Sequence, residues 1–142
     1  GIDMYMLSSN SVPPTGFAPT TDPVASEKCY YPYGIDIGDP ALLEYTEAYV
    51  ARWDTPPLAQ SFGGDDAFMI IVHAIEACGD DVTSACITKA INNMGEIDGK
   101  QGRFKISPDT HQPEGLPMAI YNIVDGAPVF LEWYLPTGPL GK

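Results

Sequence analysis

The sequence predicts a chain of the α/β or α+β class, and three observations carry that prediction. Apolar residues recur at helical spacing in three segments between Asp39 and Met94. Alternating runs take over from Gly102 onward. An Asp125-Gly126 pair, a strong short-range hairpin signal, joins two of those runs. The resulting order is a strand, loops, three helices, a strand and a hairpin.

Ile2 to Leu7 reads as a short strand, followed by the polar loop Ser8 to Pro14. The Pro/Thr/Gly-rich stretch up to Ala25 reads as irregular. Cys29-Tyr30-Tyr31-Pro32-Tyr33-Gly34 is an aromatic cluster in extended chain, because a residue before proline avoids the helical region. The first helix opens with Asp39 as N-cap and Pro40 at the first helical position. It sets Leu42, Leu43, Thr46, Tyr49, Val50 and Trp53 on one face. Pro56-Pro57 makes a turn. The second helix, capped by Asp65 or Asp66 and ended by Gly79, carries Phe68, Met69, Ile71, Val72 and Ile75. It is apolar around much of its circumference, as suits a helix buried on more than one side or set against a partner. The third runs from Val82 to Met94 with Cys86, Ile87, Ala90, Ile91 and Met94 on one face. Gly102 to Ile106 alternates, and Met118–Val124 and Ala127–Leu135 form the hairpin.

A length of 142 residues is that of one domain, burying about two-thirds of its unfolded surface. With 44% hydrophobic and 18% charged residues the composition is globular. The 14 prolines gather mainly at Pro13–Pro23, Pro56-Pro57 and Pro136–Pro139, which read as loops or tails. The net charge of −12 repels phosphate backbones and anionic lipid, and no basic cluster overrides it, so nucleic acid is not an expected partner. No apolar run reaches the roughly 18 residues of a membrane span. The opening Gly-Ile-Asp lacks a basic leader, which for a secreted protein corresponds to a mature or truncated form.

Cys78 ends the second helix and Cys86 sits one turn into the third, so a short connection brings them within disulfide reach. Such a bond implies an oxidising compartment. Two buried thiols in an interhelical contact fit the same positions. Cys29 is left over, either free or paired outside this chain. No Cys-x-x-Cys occurs, and His73 and His111 are isolated, so no metal site is expected.

The chemistry of an enzyme is missing from the pattern. No Gly-x-Ser-x-Gly elbow, phosphate-cradling Gly-Lys-Ser/Thr loop or His-Glu-x-x-His occurs. Gly63-Gly64 precedes a helix, but Asp65 and Asp66 would repel an anion there. His73 reads as a core or interface histidine, and the Asp65-Asp66 and Asp80-Asp81 pairs as helix-start residues. We expect no catalysis and no cofactor.

Several of these features together resemble the C-terminal part of type I periplasmic solute-binding proteins, the receptors of branched-chain-amino-acid-type ABC importers. The resemblance runs from about Pro40 to Phe130. It rests on the helical pattern, the Asp66-Ala67 pair opening the apolar helix, the glycine–turn–strand segment Gly99–Ser107 and the Ile123–Gly126 turn. It implies an α/β fold, part of two lobes that close on a small polar solute, amino-acid-like or an aromatic acid. Residues 1–38 would be the end of one lobe, a cleft loop and the connector. Residues 39–117 would be the helical part of the other lobe with its strand, and 118–142 the C-terminal hairpin and tail.

The resemblance further implies a periplasmic or extracellular protein. Its partners would be the solute, the importer's membrane subunits and the remaining N-terminal part of the same protein. Ser9 and Asn10 follow the first strand where the family places ligand-contacting loops. Ser61, Phe62 and Asp65 lead into the helix whose N-terminal end faces the family's cleft. Many members have an aromatic residue where this chain has Asp65; an acid there favours a ligand with an ammonium or several hydroxyl donors, or caps the helix. Tyr33, with Tyr30 and Tyr31, would stack on an aromatic solute or pack against the connector. A chain lacking most of both lobes' sheets is expected to expose apolar faces. A ligand-sensing domain of a membrane receptor shares the same fold.

Overall fold

A computed structural model describes residues 4–9, 26–36 and 38–136. Asn10 and the Pro/Thr/Gly-rich stretch up to Ala25 lie outside them. The chain divides into two units, Gly1–Ala59 with Pro117–Leu135 and Gln60–Leu116 with Pro136–Lys142. The division falls at Ala59, so the first helix belongs with the hairpin and not with the second helix.

The first unit is built on a sheet of order β1-β2-β6-β7. Its strands are β1 (Met6–Leu7), β2 (Cys29–Tyr33), β6 (Met118–Val124) and β7 (Ala127–Tyr134). β1 runs parallel to β2, and the other neighbours are antiparallel, with Tyr31 opposite Tyr121 and Tyr33 opposite Ala119. Alternate residues Cys29, Tyr31 and Tyr33 on β2, and Ala119, Tyr121 and Ile123 on β6, are buried, as the period of two dictates. Tyr31 stacks on Tyr121 at 5.6 Å between ring centroids. The Tyr121 hydroxyl donates to Asp36 Oδ1 at 3.0 Å. Asp125 and Gly126 both take positive φ, 52° and 75°, the conformation that a two-residue primed turn requires.

A 3-10 turn, Pro40–Leu42, leads into helix α1 (Leu43–Trp53). Asp39 caps it as expected, its carboxylate accepting the Ala41 N–H at 2.9 Å. The expected buried face is reduced to Leu42, whereas Leu43, Val50 and Trp53 are exposed. Aromatic rings instead pack along the helix, with Tyr45 against Tyr49 at 6.1 Å and Tyr49 against Trp53 at 6.4 Å. These are i, i+4 neighbours, which a helix brings together whether or not anything covers them.

Tyr31 is 1% exposed, and its hydroxyl has no partner among the described residues. Burial, with smaller contributions from Cys29 and Tyr33, pushes its pKa up from 10.0 to about 12. The folded chain therefore keeps this proton over a range where the unfolded chain loses it. Its contribution to stability is intact below pH 10 and is lost as pH rises through about 12. Tyr31→Phe is expected to melt no lower than the wild type at neutral pH, because a stranded hydroxyl is removed. It should also flatten the alkaline fall in melting temperature. An unchanged alkaline profile would place the fall on other groups.

The second unit holds most of helix α2 (Ala59–Cys78), then α3 (Ser84–Asn92), and a sheet of order β3-β4-β5. Its strands are β3 (Glu96–Gly99), β4 (Gly102–Ile106) and β5 (Pro113–Glu114). Helix α2 begins at Ala59 and not at Asp65, so Asp65 and Asp66 stand inside it and do not cap it. Two glycines in a helix cost roughly 1 kcal/mol each relative to alanine, and packing offsets that cost. Phe62 is buried, and a Cβ on Gly63 would come within 2.8 Å of Gln101 Oε1. Gly79 ends the helix at φ 58°, and Thr83 caps α3 by accepting the Cys86 N–H at 3.2 Å. Cys78 and Cys86 are joined by a disulfide across a Cα–Cα distance of 6.0 Å. Cys29 is buried and free, its thiol pKa raised by burial. Along α2, Phe68 is 63% and Ile71 49% exposed, so the all-round apolar helix is open to solvent on one side. No helix among the described residues is long and apolar enough to cross a membrane.

Candidate functional site

The second unit contains a pocket of about 470 Å³ between one face of α2 and strand β3 with its turn. Helical spacing aligns Asp65, Met69 and His73 on that face, with Asp66 and Ile70 beside them. Met94, Glu96, Asp98, Gly99 and Lys100 supply the other wall.

Asp66 organises the pocket's edge. It is 6% exposed, and a buried carboxylate needs partners. Its Oδ1 accepts the Lys100 N–H at 2.5 Å, and its Oδ2 accepts the Gln101 N–H at 3.1 Å. These two amides form the tip of the β3–β4 turn, where no strand neighbour could receive them. The fit needs Gly99, since a Cβ there would stand 2.7 Å from both Asp66 Oδ2 and Phe104 Cε1. Gly99→Ala should therefore destabilise the protein by about 2 kcal/mol, the cost of an overpacked methyl. A loss under about 0.5 kcal/mol in urea denaturation would mean that the turn moves aside freely.

The pocket is acidic. Asp98 and Glu96 are engaged by Arg103, whose guanidinium lies 2.7 Å from Asp98 and 3.8 Å from Glu96. Those two carboxylates, Asp98 first through its hydrogen bond, raise the Arg103 pKa. Asp65 is half-buried on the pocket wall, which Lys100 also lines. Among the described residues no group of three or more His, Cys, Asp or Glu side chains could hold a metal ion. The arrangement suits a ligand that brings a positive charge or several donors.

The other residues singled out from the sequence fall as follows. Ser61 and Phe62 are in the first turn of α2 and not in a loop before it; Phe62 is buried and Ser61 half-buried. Ser9 follows β1 and is exposed, whereas Asn10 lies outside the described residues. Tyr33 is buried, and its hydroxyl accepts the Ala59 N–H at 3.0 Å, satisfying a donor at the start of α2. Ser9 and Tyr33 belong to the first unit, Ser61, Phe62 and Asp65 to the second. The role of Asp66 as acceptor for a distant turn was not anticipated. Its only trace in the sequence is Gly99 ahead of Lys100-Gln101 in the turn before Gly102, far along the chain from the Asp66-Ala67 pair.

No protein-family model matches the sequence, and no curated protein sequence is significantly similar to it. Solved structures do match. A leucine-binding protein from Thermotoga maritima covers 96% of this chain at TM-score 0.74 and 19% identity. The branched-chain amino acid transporter substrate-binding protein LivJ from Streptococcus pneumoniae, in complex with isoleucine, covers 96% at TM-score 0.75 and 15% identity. An ABC-transporter solute-binding protein from R. palustris, in complex with benzoate, covers 85% at TM-score 0.64 and 20% identity. The chain spans only 39%, 38% and 33% of those three proteins. Over that span, this chain has the type I fold of periplasmic solute-binding proteins.

Proposed function

We propose that this chain is part of an extracytoplasmic solute-binding receptor of an ABC importer, capturing a small polar solute without chemical change. The observation that carries the reading is the agreement of fold over 96% of the chain with amino-acid-binding receptors. The acidic pocket supports a solute with an ammonium group, and Asp65 is the side chain we assign to it. Ser61, half-buried one turn before Asp65 on α2, is the second contact assigned in this unit, with buried Phe62 as its support. The Cys78–Cys86 bond supports an oxidising, extracytoplasmic location.

Calorimetric titration of the natural-length protein with L-leucine, L-isoleucine and benzoate tests the reading. Binding of an amino acid at micromolar or tighter affinity is the expected result. Failure of all three ligands would overturn it.

The partners in this reading are the importer's membrane subunits and the rest of the polypeptide. The exposed faces at Phe68, Ile71, Val129 and Trp133 are where the latter would pack. The 142-residue chain alone should accordingly melt at a lower temperature and less cooperatively than the natural-length protein. A sharply melting monomer would remove the need for that partner.

A further inference from the structure

We propose that Asp66 is a positioning residue that sets the rotation of helix α2 about its own axis, and so aims Asp65 into the pocket. The inference rests on the reading that Asp65 meets the solute. Adjacent residues on a helix point about 100° apart, so Asp65 and Asp66 turn together. Three close approaches hold that turn in place. Asp66 accepts the Lys100 and Gln101 amides. Gly99 leaves no room between Asp66 and the Phe104 ring. On the preceding turn of α2, Gly63 comes so near Gln101 that a Cβ would lie 2.8 Å from its Oε1. One turn, Gly99 to Gln101, thus holds α2 through its backbone at Asp66, while the Gln101 side chain rests against Gly63. Asp65, Met69 and His73, which share the pocket wall, keep their directions only while that grip holds.

The role differs from simple stabilisation, because it couples two neighbouring carboxylates through geometry. L-Leucine affinity is measured calorimetrically on the natural-length protein and its Asp65→Asn, Asp66→Asn, Asp66→Ala and Asp65→Asn/Asp66→Ala variants. Asp66→Asn keeps the side-chain shape and one acceptor, so it provides a folded variant should Asp66→Ala unfold. The expected order of affinity is wild type, Asp66→Asn, then Asp66→Ala, with the last about tenfold weaker than wild type. Asp65→Asn should weaken binding similarly, and the double variant should bind no more weakly than Asp65→Asn alone. Affinities that are independent of residue 66, or losses that add fully in the double variant, would overturn the positioning role and leave the receptor reading standing. An Asp65→Asn variant that binds as wild type would remove the contact on which the proposal rests. Wild-type protein that binds neither leucine nor isoleucine would overturn both the amino-acid reading and this proposal.

Discussion

Asp66→Ala is expected to lower folding stability by about 3 kcal/mol, the largest effect of any substitution considered. The carboxylate accepts two backbone N–H groups at the tip of the β3–β4 turn. Removing it strands both, at roughly 1–3 kcal/mol for each buried donor left without a partner. The turn is only part-buried at Lys100 and Gln101, so water recovers some of that loss and keeps the figure toward the lower end. Asp66→Asn should lose less, because one oxygen still accepts while its amide nitrogen opposes the second donor. Urea denaturation of the natural-length protein measures both. If alanine costs under about 1 kcal/mol, water serves the turn as well as the carboxylate does, and Asp66 holds nothing in place.

The second large effect is expected from opening the Cys78–Cys86 bond. The two cysteines are separated by 8 positions, and the loop-entropy relation gives about 2.5 kcal/mol for a ring of that size. The local effect should exceed the global one. Helix α3 has 9 residues and buries none of them completely, and helices shorter than about 12 residues are marginal unless packing holds them. The bond is the covalent tie that keeps α3 beside the end of α2. In Cys78→Ser/Cys86→Ser, amides of α3 should exchange with solvent much faster, while those of β6 and β7 keep their protection. Equal protection of α3 in both proteins would show that Thr83 capping and side-chain contacts already suffice.

How far the sequence could be read depended on whether the determining contacts were local. Asp39, Gly79 and the Asp125-Gly126 turn act on backbone within a few residues of themselves, and each sits where its spacing predicted. The approach of Cys78 and Cys86 is also local. The start of α2 was misplaced because Pro56-Pro57 and Gly63-Gly64 both argue against helix, whereas burial of Phe62 and the contact at Gln101 favour it. Those contacts come from far along the chain. The same holds for Asp66, whose partners are 34 and 35 residues away, and for Tyr33, whose hydroxyl reaches Ala59. Helix α1 misled in the opposite sense: its apolar spacing was correct, but among the described residues little covers it.

The Asp125-Gly126 turn offers a practical opening. Both residues are held at positive φ at the tip of a solvent-facing hairpin, in a different unit from the residues that line the acidic pocket. Exposed hairpin tips accept foreign sequence more readily than any other part of a domain. A circularly permuted fluorescent domain inserted between Asp125 and Gly126 would leave the Tyr31–Tyr121 core intact and sit on one unit only. Any change in its brightness on adding a solute would turn binding into an optical signal and make the scaffold a reagent.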